Sequence, residues 1–222
     1  MAYQHIVERA NATQNLTALR SPDAFLRDGV LDSLFAWRAL ALGPRPVLDV
    51  GSGAGLPALV WAIAGYAPKV LAVEAERRKC AFLEEAAAEL GLQAEVAWGR
   101  AEDLARGPLR DQAVLVTARA VAAAPVAVEV CGGLVRPGGL LVLLKGTPER
   151  SAAEAAAAAP VAARMGFGEV EIRTYDLGQD VRRTLLVYGK RRPTPAGRPT
   201  TFARLRREFR GVSEREGAPK GE

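Results

Sequence analysis

The sequence has few of the residues that hold metal ions or build disulfide frameworks. Its 222 residues include two cysteines, Cys80 and Cys131, and one histidine, His5. The cysteines lie far apart without a CxxC spacing, so we expect neither a metal site nor a disulfide scaffold. Hydrophobic runs are short as well. None reaches a length of about 20 apolar residues, which is needed to span a bilayer. The N-terminus lacks the apolar core of a signal peptide. We therefore expect a cytoplasmic, monomeric protein without membrane association.

Acidic residues are scarce between residues 190 and 210, although the formal net charge of the whole chain is only +5. Residues 190–210 hold eight basic residues and one acidic residue, a net charge of +7. Such an excess suits a polyanion such as nucleic acid, and a solvated tail is the alternative interpretation. We predict that residues 191–222 form a basic, flexible tail. Removing residues 193–222 is then expected to weaken RNA binding and to preserve cofactor affinity.

Predicted strands and helices alternate along most of the chain. Residues 1–45 are predicted to be a helical segment, in which Ser21-Pro22-Asp23 starts a helix that runs to about Leu40. The strands that follow are predicted at Val47–Val50, Val70–Glu74, Val96–Trp98, Val114–Thr117, Leu140–Leu144, Glu169–Asp176 and Thr184–Gly189, and the helices at Leu56–Gly65, Glu76–Leu90, Ala122–Val130 and Glu149–Met165. This order predicts an α/β domain over residues 46–190, a doubly wound, Rossmann-like sheet of seven strands with the last one antiparallel. Ligands bind such sheets at the carboxyl ends of the strands.

The glycine-rich turn after the first strand predicts a nucleotide-like ligand. A dinucleotide fingerprint requires GxGxxG, whereas the third glycine here, Gly55, comes one place early and Leu56 holds the expected position. Asp49 adds a negative charge. A pyrophosphate gains nothing from this charge, whereas the ammonium group of a methionine is attracted to it. The spacing from Asp49 through Gly51 and Gly53 to Gly55 resembles the first motif of class I S-adenosylmethionine methyltransferases. Glu74, at the end of the second strand, can accept both ribose hydroxyls of either cofactor.

The end of the fourth strand restricts the methyl acceptor. Its residues, Val116 to Ala120, lack the Asn/Asp-Pro-Pro-Tyr motif that accompanies methylation of exocyclic base amines. Methylation of pyrimidine C5 needs a cysteine nucleophile, and neither cysteine is suitably placed. A ring nitrogen such as guanine N7 needs neither device, because its in-plane lone pair attacks the methyl group directly. Arg119 suits a guanine O6 or a phosphate, and it is costly to place after apolar strand residues without a partner.

Several motifs along the chain together resemble one family of RNA methyltransferases. They are Asn15–Arg20, Leu31–Leu34, Asp49–Pro57, Arg77–Leu83, Gly99–Asp103, Thr117–Ala122, Leu144–Gly146 and Arg191–Pro195. In these motifs the chain resembles the bacterial RsmG/GidB family, which methylates a guanine N7 in 16S (small-subunit) ribosomal RNA. The resemblance covers roughly residues 12–195. It implies a SAM-dependent, RNA-binding enzyme of rRNA processing, whose partner is ribosomal RNA or the small ribosomal subunit.

The resemblance also implies roles for individual residues. Cofactor contacts are implied for Asp49, Gly51, Gly53, Gly55, Leu56, Glu74, Ala75, Ala101, Glu102 and Arg119. Arg119 and Lys145 are implied as catalytic residues near the mouth where a flipped base could enter, and Arg77, Arg78, Lys79, Arg191 and Arg192 as RNA contacts. The alternative for Glu102 is a helix N-terminal charge, and for Arg77 to Lys79 a solvated helix end.

At two places the chain departs from the family pattern. Asp28 and Gly29 stand where the family usually has a basic residue followed by histidine, and Arg183 and Thr184 represent a later Arg-His pair. Two other functions therefore stay open. One is a small-molecule methyltransferase on the same fold, and the other is a non-catalytic protein that binds RNA or the ribosome.

Overall fold

The computed structural model describes residues 2–178 and 180–210. Nine α-helices and seven strands lie within them. The helices are α1 (Ala2–Gln14), α2 (Pro22–Phe25), α3 (Asp32–Leu40), α4 (Ala58–Ile63), α5 (Arg77–Glu89), α6 (Ala101–Leu104), α7 (Ala124–Gly132), α8 (Pro148–Arg164) and α9 (Phe202–Glu208). The strands are β1 (Val47–Val50), β2 (Val70–Glu74), β3 (Ala94–Trp98), β4 (Ala113–Arg119), β5 (Val135–Lys145), β6 (Phe167–Asp176) and β7 (Arg182–Lys190).

The strands form one sheet with the order β3-β2-β1-β4-β5-β7-β6. β1 to β5 pair in parallel, and β7 pairs antiparallel with both β5 and β6. This confirms the predicted doubly wound sheet with an antiparallel last strand. The strand order reverses direction between β1 and β4, so a crevice opens at the carboxyl ends of these two strands.

Each face of the sheet is covered by its own layer of helices and apolar side chains. The N-terminal helices, α4 and α5 enclose one layer, which includes Trp37, Trp61 and Phe82. The other layer lies under α7 and α8. Every residue of α7 is buried, because its sequence is apolar almost all round and it is covered on both sides. The two layers make the sheet a rigid base for the loops at its carboxyl edge.

A π-helix interrupts the helix that Ser21-Pro22-Asp23 starts. The Ser21 hydroxyl accepts the Ala24 N–H at 3.1 Å, as an N-cap residue does. The π-helix, Leu26–Leu31, lies between α2 and α3. It widens the backbone ring over a single turn, a feature that is frequent at functional sites. This segment brings Asp28 toward the end of β4, where its carbonyl oxygen accepts a hydrogen bond from Arg119.

Two local details lie in β5 and α8. β5 begins at Val135, before the predicted strand Leu140–Leu144, and its pairing with β4 is irregular between Ala113 and Leu115. Pro160 lies inside α8, which continues past it to Arg164. Neither detail changes the order of the elements.

The segment for which we expected a flexible tail is folded against the domain up to residue 210. We call residues 193–209 the C-terminal strap. Thr194 donates its hydroxyl to Asp111 at 2.6 Å, before β4, and Thr200 donates its N–H at 2.9 Å and its hydroxyl at 2.6 Å to Glu129 of α7. Leu205 of α9 is fully buried. The strap therefore runs along α7 from the amino edge of the sheet to its carboxyl edge, and the rest of the expected tail, residues 211–222, lies outside the described residues.

Within these described residues, no helix is long and apolar enough to cross a membrane. The same part of the chain contains no group of three or more His, Cys, Asp or Glu side chains able to hold a metal ion.

Candidate active site

Two clefts lie side by side at the carboxyl edge of the sheet. The glycine-turn cleft, about 360 Å³, lies over the ends of β1, β2 and β3, and its wall includes Gly51, Gly53, Glu74, Ala75, Ala101 and Glu102. The basic cleft, about 590 Å³, lies over the ends of β4 and β5, and its wall includes Lys145, Arg150 and Arg183. Arg119, Ala120 and Val121 line both clefts. The turn after β4 is therefore the partition between them.

The glycine turn brings bare backbone up to the first cleft. Gly51 has a φ of +70°, and a Cβ atom on it would lie 2.8 Å from Cγ2 of Val121 in the partition. Gly53 has a φ of +52° and donates its N–H to Oε2 of Glu74 at 3.0 Å. Glycine is thus required here for both its conformation and its small size. This bond and the Gly51 N–H, which donates to the carbonyl oxygen of Val73 at 2.8 Å, join the turn to the end of β2.

Glu74 is held by backbone donors. Its Oε1 accepts the N–H groups of Ala75 at 2.7 Å and Glu76 at 3.0 Å. The side chain is nearly buried and lines the cleft. Each carboxylate oxygen can accept more than one hydrogen bond, so vicinal hydroxyls of a ribose can bind the same group.

Asp49 lies beneath the glycine turn rather than in the wall of the cleft. Its Oδ1 accepts the Thr117 hydroxyl at 2.6 Å, whereas its buried Oδ2 has no hydrogen-bond partner among the described residues. Burial raises the pKa of Asp49 to about 7, against the opposing effects of the Thr117 hydrogen bond and the Arg119 charge. A buried carboxylate with an unpaired oxygen favours a cation nearby.

Gly55 and Leu56 pack behind the turn, and neither is among the described residues that line either cleft. A Cβ atom on Gly55 would lie 2.5 Å from Cδ1 of Leu59, and Cδ1 of Leu56 would lie 3.2 Å from a Cβ atom on Gly29. Both residues thus shape the turn from behind. A direct cofactor contact for them stays a prediction.

Glu102 reaches the cleft from the start of α6, and its partner comes from the strap. Its Oε1 accepts the N–H of Phe202 at 2.9 Å, and Phe202 itself lines the glycine-turn cleft. Phe202 was not among the residues predicted for the site. A local signal exists, because Thr201 precedes Phe202, Leu205 and Phe209 at helical spacing.

Arg119 has the partner that its position after an apolar strand requires. It donates to the carbonyl oxygen of Asp28, and its Nη1 lies 3.3 Å from Oδ2 of Asp32. Tyr175 donates its hydroxyl to Oδ1 of Asp32 at 2.6 Å. Arg183 lies 3.3 Å from Oδ1 of Asp28. The two departures from the family pattern therefore contact each other in the structure.

The second predicted catalytic residue, Lys145, is held at the floor of the basic cleft. Its Nζ lies 2.6 Å from Oε2 of Glu154 and donates to the carbonyl oxygen of Ala122 at 2.8 Å. The same Glu154 oxygen accepts the N–H of Ala124 at the start of α7. These contacts fix the ammonium group close to the partition.

The predicted RNA contacts fall into two separate places. At the start of α5, beside the glycine-turn cleft, the Arg77 guanidinium lies 3.8 Å from the ring centroid of Trp98, and Lys79 pairs with Glu76 at 2.7 Å. Arg78 is exposed beside them. Arg191 and Arg192 follow β7, which is antiparallel, so they lie at the amino edge of the sheet, away from both clefts. The structure thus brings only the first group near the site.

Solved structures of methyltransferases have the same fold. A methyltransferase from Pyrococcus furiosus matches with a TM-score of 0.57 and 14% identity, covering 86% of this chain and 98% of that one. A precorrin-6y C5,15-methyltransferase from Geobacter metallireducens matches with a TM-score of 0.50 and 15% identity, over 71% and 87% of the two chains. The fold is that of the Rossmann-like methyltransferases.

Sequence comparison then defines the family. The GidB family model, described as "rRNA small subunit methyltransferase G", matches residues 1–174. Proteins named ribosomal RNA small subunit methyltransferase G from Moorella thermoacetica and Deinococcus radiodurans are 37% and 39% identical to this chain. Each match covers 87% of this chain, and 82% and 78% of the respective relative. The chain belongs to the GidB family of rRNA small subunit methyltransferase G proteins, as its motifs predicted.

Proposed function

We propose that the protein transfers a methyl group from S-adenosylmethionine to N7 of a guanine in small-subunit ribosomal RNA. The observation that supports this best is the pair of clefts that share Arg119, Ala120 and Val121. A methyl group passes directly between two bound molecules, so donor and acceptor have to meet at a common wall. Family membership supports the choice of ribosomal RNA.

The glycine-turn cleft suits the donor. Gly51 and Gly53 let a ligand approach the backbone, Glu74 can accept the ribose hydroxyls, and Ala101 and Glu102 lie where the family resemblance implies the adenine. The buried, unpaired oxygen of Asp49 favours the cationic methionine end. When bound, S-adenosylmethionine supplies an electrophilic methyl group.

The basic cleft suits a nucleotide as acceptor. Lys145, Arg150 and Arg183 line it with Arg119, and guanidinium groups can bind a phosphate or guanine O6 in bidentate fashion. The carboxylates in its wall, Asp32 and Glu154, are both paired with cations. Guanine N7 needs no base to remove a proton, so side chains in this cleft have only to bind and orient the purine and exclude water.

Methyl transfer to RNA tests the proposal. Purified protein, methyl-labelled donor and small-subunit RNA or subunits from cells that lack the modification should give labelled N7-methylguanosine after nuclease digestion. Arg119→Ala should lose this product, whereas Arg9→Ala, which removes an exposed arginine paired with Glu89, should keep it. Label on another base atom would overturn the N7 assignment. Undiminished transfer by Arg119→Ala would remove Arg119 from the site.

A further inference from the structure

The C-terminal strap reaches the cofactor side of the site although it lies outside the residues that the family model matches. The family model ends at residue 174, and the strap begins at residue 193. Phe202, the first residue of α9, lines the glycine-turn cleft together with Arg100, Ala101 and Glu102. A residue more than 80 positions beyond the predicted cofactor motifs thus contributes to the same wall.

The strap is anchored by buried polar contacts. Glu129 of α7 is fully buried, and its Oε1 accepts hydrogen bonds from the N–H and hydroxyl of Thr200 and from Arg198 at 2.8 Å. Its Oε2 pairs with Arg164 at 3.0 Å. At the other end of the strap, Arg110 donates to the carbonyl oxygens of Thr194 and Arg198. These contacts hold the strap on the domain over the residues that lead to Phe202.

Phe202 and Glu102 fix each other at one end of the cleft. The Phe202 N–H donates to Oε1 of Glu102, while Oε2 of Glu102 accepts no hydrogen bond from the described residues. The Arg100 guanidinium carbon lies 5.8 Å from the centroid of the Phe202 ring. The arrangement leaves an aromatic side chain and one carboxylate oxygen together beside the cleft. Purines bind to such pairs, because the ring can stack and the exocyclic amine can donate.

We propose that the strap is part of the methyl-donor site and that Phe202 packs against the adenine of the bound donor. The inference rests on the proposed function, because it takes the ligand of the glycine-turn cleft to be S-adenosylmethionine. It reverses the expectation that removal of residues 193–222 preserves cofactor affinity. In the folded protein, loss of the strap removes one wall of the cleft and the hydrogen bond that orients Glu102.

Ligand binding by the full-length protein tests the proposal without measuring activity. Titration calorimetry with S-adenosylhomocysteine should show an affinity for Phe202→Ala that is lower by about fivefold or more, the size expected for losing one base–aromatic contact. Phe202→Tyr should stay close to the parent, since it keeps the aromatic face. Phe209→Ala is the matched control, because Phe209 belongs to the same strap and is partly buried but does not line the cleft within the described residues.

The outcomes separate the inference from the proposed function. If the parent protein fails to bind S-adenosylhomocysteine and S-adenosylmethionine, the proposed function is overturned and the inference with it. If the parent binds and Phe202→Ala binds equally well, only the inference is overturned. Thermal unfolding of Phe202→Ala and Phe209→Ala shows whether both variants fold. Should Phe202→Ala fail to fold, Phe202→Leu replaces it, and unchanged affinity there refutes the aromatic contact.

Discussion

At the scale of single residues, the protonation state of Asp49 is expected to make ligand affinity at the donor site depend on pH. Burial raises its pKa to about 7, while the Arg119 charge opposes and the Glu74 charge reinforces the increase. Below pH 7 the carboxyl therefore holds its proton in the unliganded protein. A cationic ligand favours the ionised form, so binding at lower pH has to release that proton.

We predict that the affinity for S-adenosylhomocysteine rises as the pH increases from 5.5 to 7, by up to about tenfold per pH unit. The matched ligand is adenosine, which lacks the ammonium group and should show little of this dependence. Calorimetry in buffers of different ionisation enthalpy should detect proton release near pH 6 with the full ligand. Asp49→Asn should abolish it, and an unchanged pH profile in that variant would exclude Asp49 as the source.

Gly51 is required for two reasons, its backbone conformation and its small size, and comparison with Gly65 separates the two. Gly51 and Gly65 have similar positive φ angles, +70° and +75°. A Cβ atom on Gly51 would collide with Val121, whereas a Cβ atom on Gly65 meets nothing within 4 Å. The two positions therefore form a matched pair.

We predict that Gly65→Ala lowers the free energy of unfolding by about 1 kcal/mol, the cost of the left-handed conformation alone. Gly51→Ala should cost roughly 1–3 kcal/mol more, because the partition has to move. Adding Val121→Ala should restore part of that difference. Urea unfolding of Gly65→Ala, Gly51→Ala, the double variant and Val121→Ala gives the comparison. Equal losses of unfolding free energy for Gly51→Ala and Gly65→Ala would show that the partition moves without strain.

At the scale of elements, the strap depends on one buried carboxylate. Hydrogen bonds from Thr200, Arg198 and Arg164 lower the pKa of Glu129 to about 2, although burial acts in the opposite direction. A carboxyl with a lowered pKa stabilises the folded state above its unfolded pKa. That stabilisation is lost as the pH falls from about 4.5 toward 2.

We predict that Glu129→Gln lowers the free energy of unfolding at pH 7 by about 3 kcal/mol, because two arginines lose their partner. The half-exposed arginines can turn toward water, so the loss should not exceed that of a wholly buried pair. Hydrogen exchange should increase in residues 194–205 before it increases in β1 or β4. The control is Glu171→Gln, which breaks an exposed pair with Arg173 and should leave exchange in the strap unchanged.

At the scale of the whole molecule, the basic side chains of residues 190–210 include buried, paired ones and exposed ones. Lys190 is buried against Asp111, Thr194 and the Gly132 carbonyl oxygen, and Arg198 is paired with Glu129, so these two charges support the fold. The exposed arginines of α9, Arg204, Arg206 and Arg207, stand on the helix that begins at the glycine-turn cleft. Their charge is available to an RNA backbone near the site.

We predict that replacing Arg204, Arg206 and Arg207 together by alanine weakens RNA binding at low salt and reduces the slope of log K against log salt by up to about 3. Affinity for S-adenosylhomocysteine should not change, since none of the three lines the glycine-turn cleft within the described residues. Filter binding from low to high salt measures the slope. Replacing Arg191 and Arg192, at the opposite edge of the sheet, provides the comparison, and a larger effect there would assign the RNA surface to that edge.

The parts of the fold and site that could be predicted are those encoded by neighbouring residues. The turn from Asp49 to Gly55 and the acidic end of β2 at Glu74 are short patterns whose geometry follows from strand, glycine and helix order. The doubly wound, mainly parallel sheet follows from the alternation of helices and strands. Arg119 was recognisable because a guanidinium after apolar strand residues requires a partner.

The parts that were missed depend on pairs of residues distant in the chain. The composition of residues 191–210 resembles a tail, and distant contacts such as those of Glu129 with Arg198 and Thr200 make residues 193–209 a strap. The π-helix at Leu26–Leu31 lies within the helix predicted to run to about Leu40, and its position becomes meaningful once Asp28 meets Arg119. Asp28 stands where the family usually has a basic residue, and in the sequence alone this reversal of charge looks unfavourable. In the structure, Arg27 and Arg183 lie beside Asp28 and hold its pKa below the usual range.

The partition formed by Arg119, Ala120 and Val121 has a thermodynamic consequence. Because both clefts share it, any displacement of these residues by one ligand alters the wall that the other ligand meets. Linkage then requires reciprocity: the factor by which donor changes RNA affinity equals the factor by which RNA changes donor affinity. S-adenosylhomocysteine lacks the transferred methyl group, so its coupling factor with RNA would differ from that of S-adenosylmethionine. The size of that difference would thus depend on three consecutive residues, Arg119 to Val121.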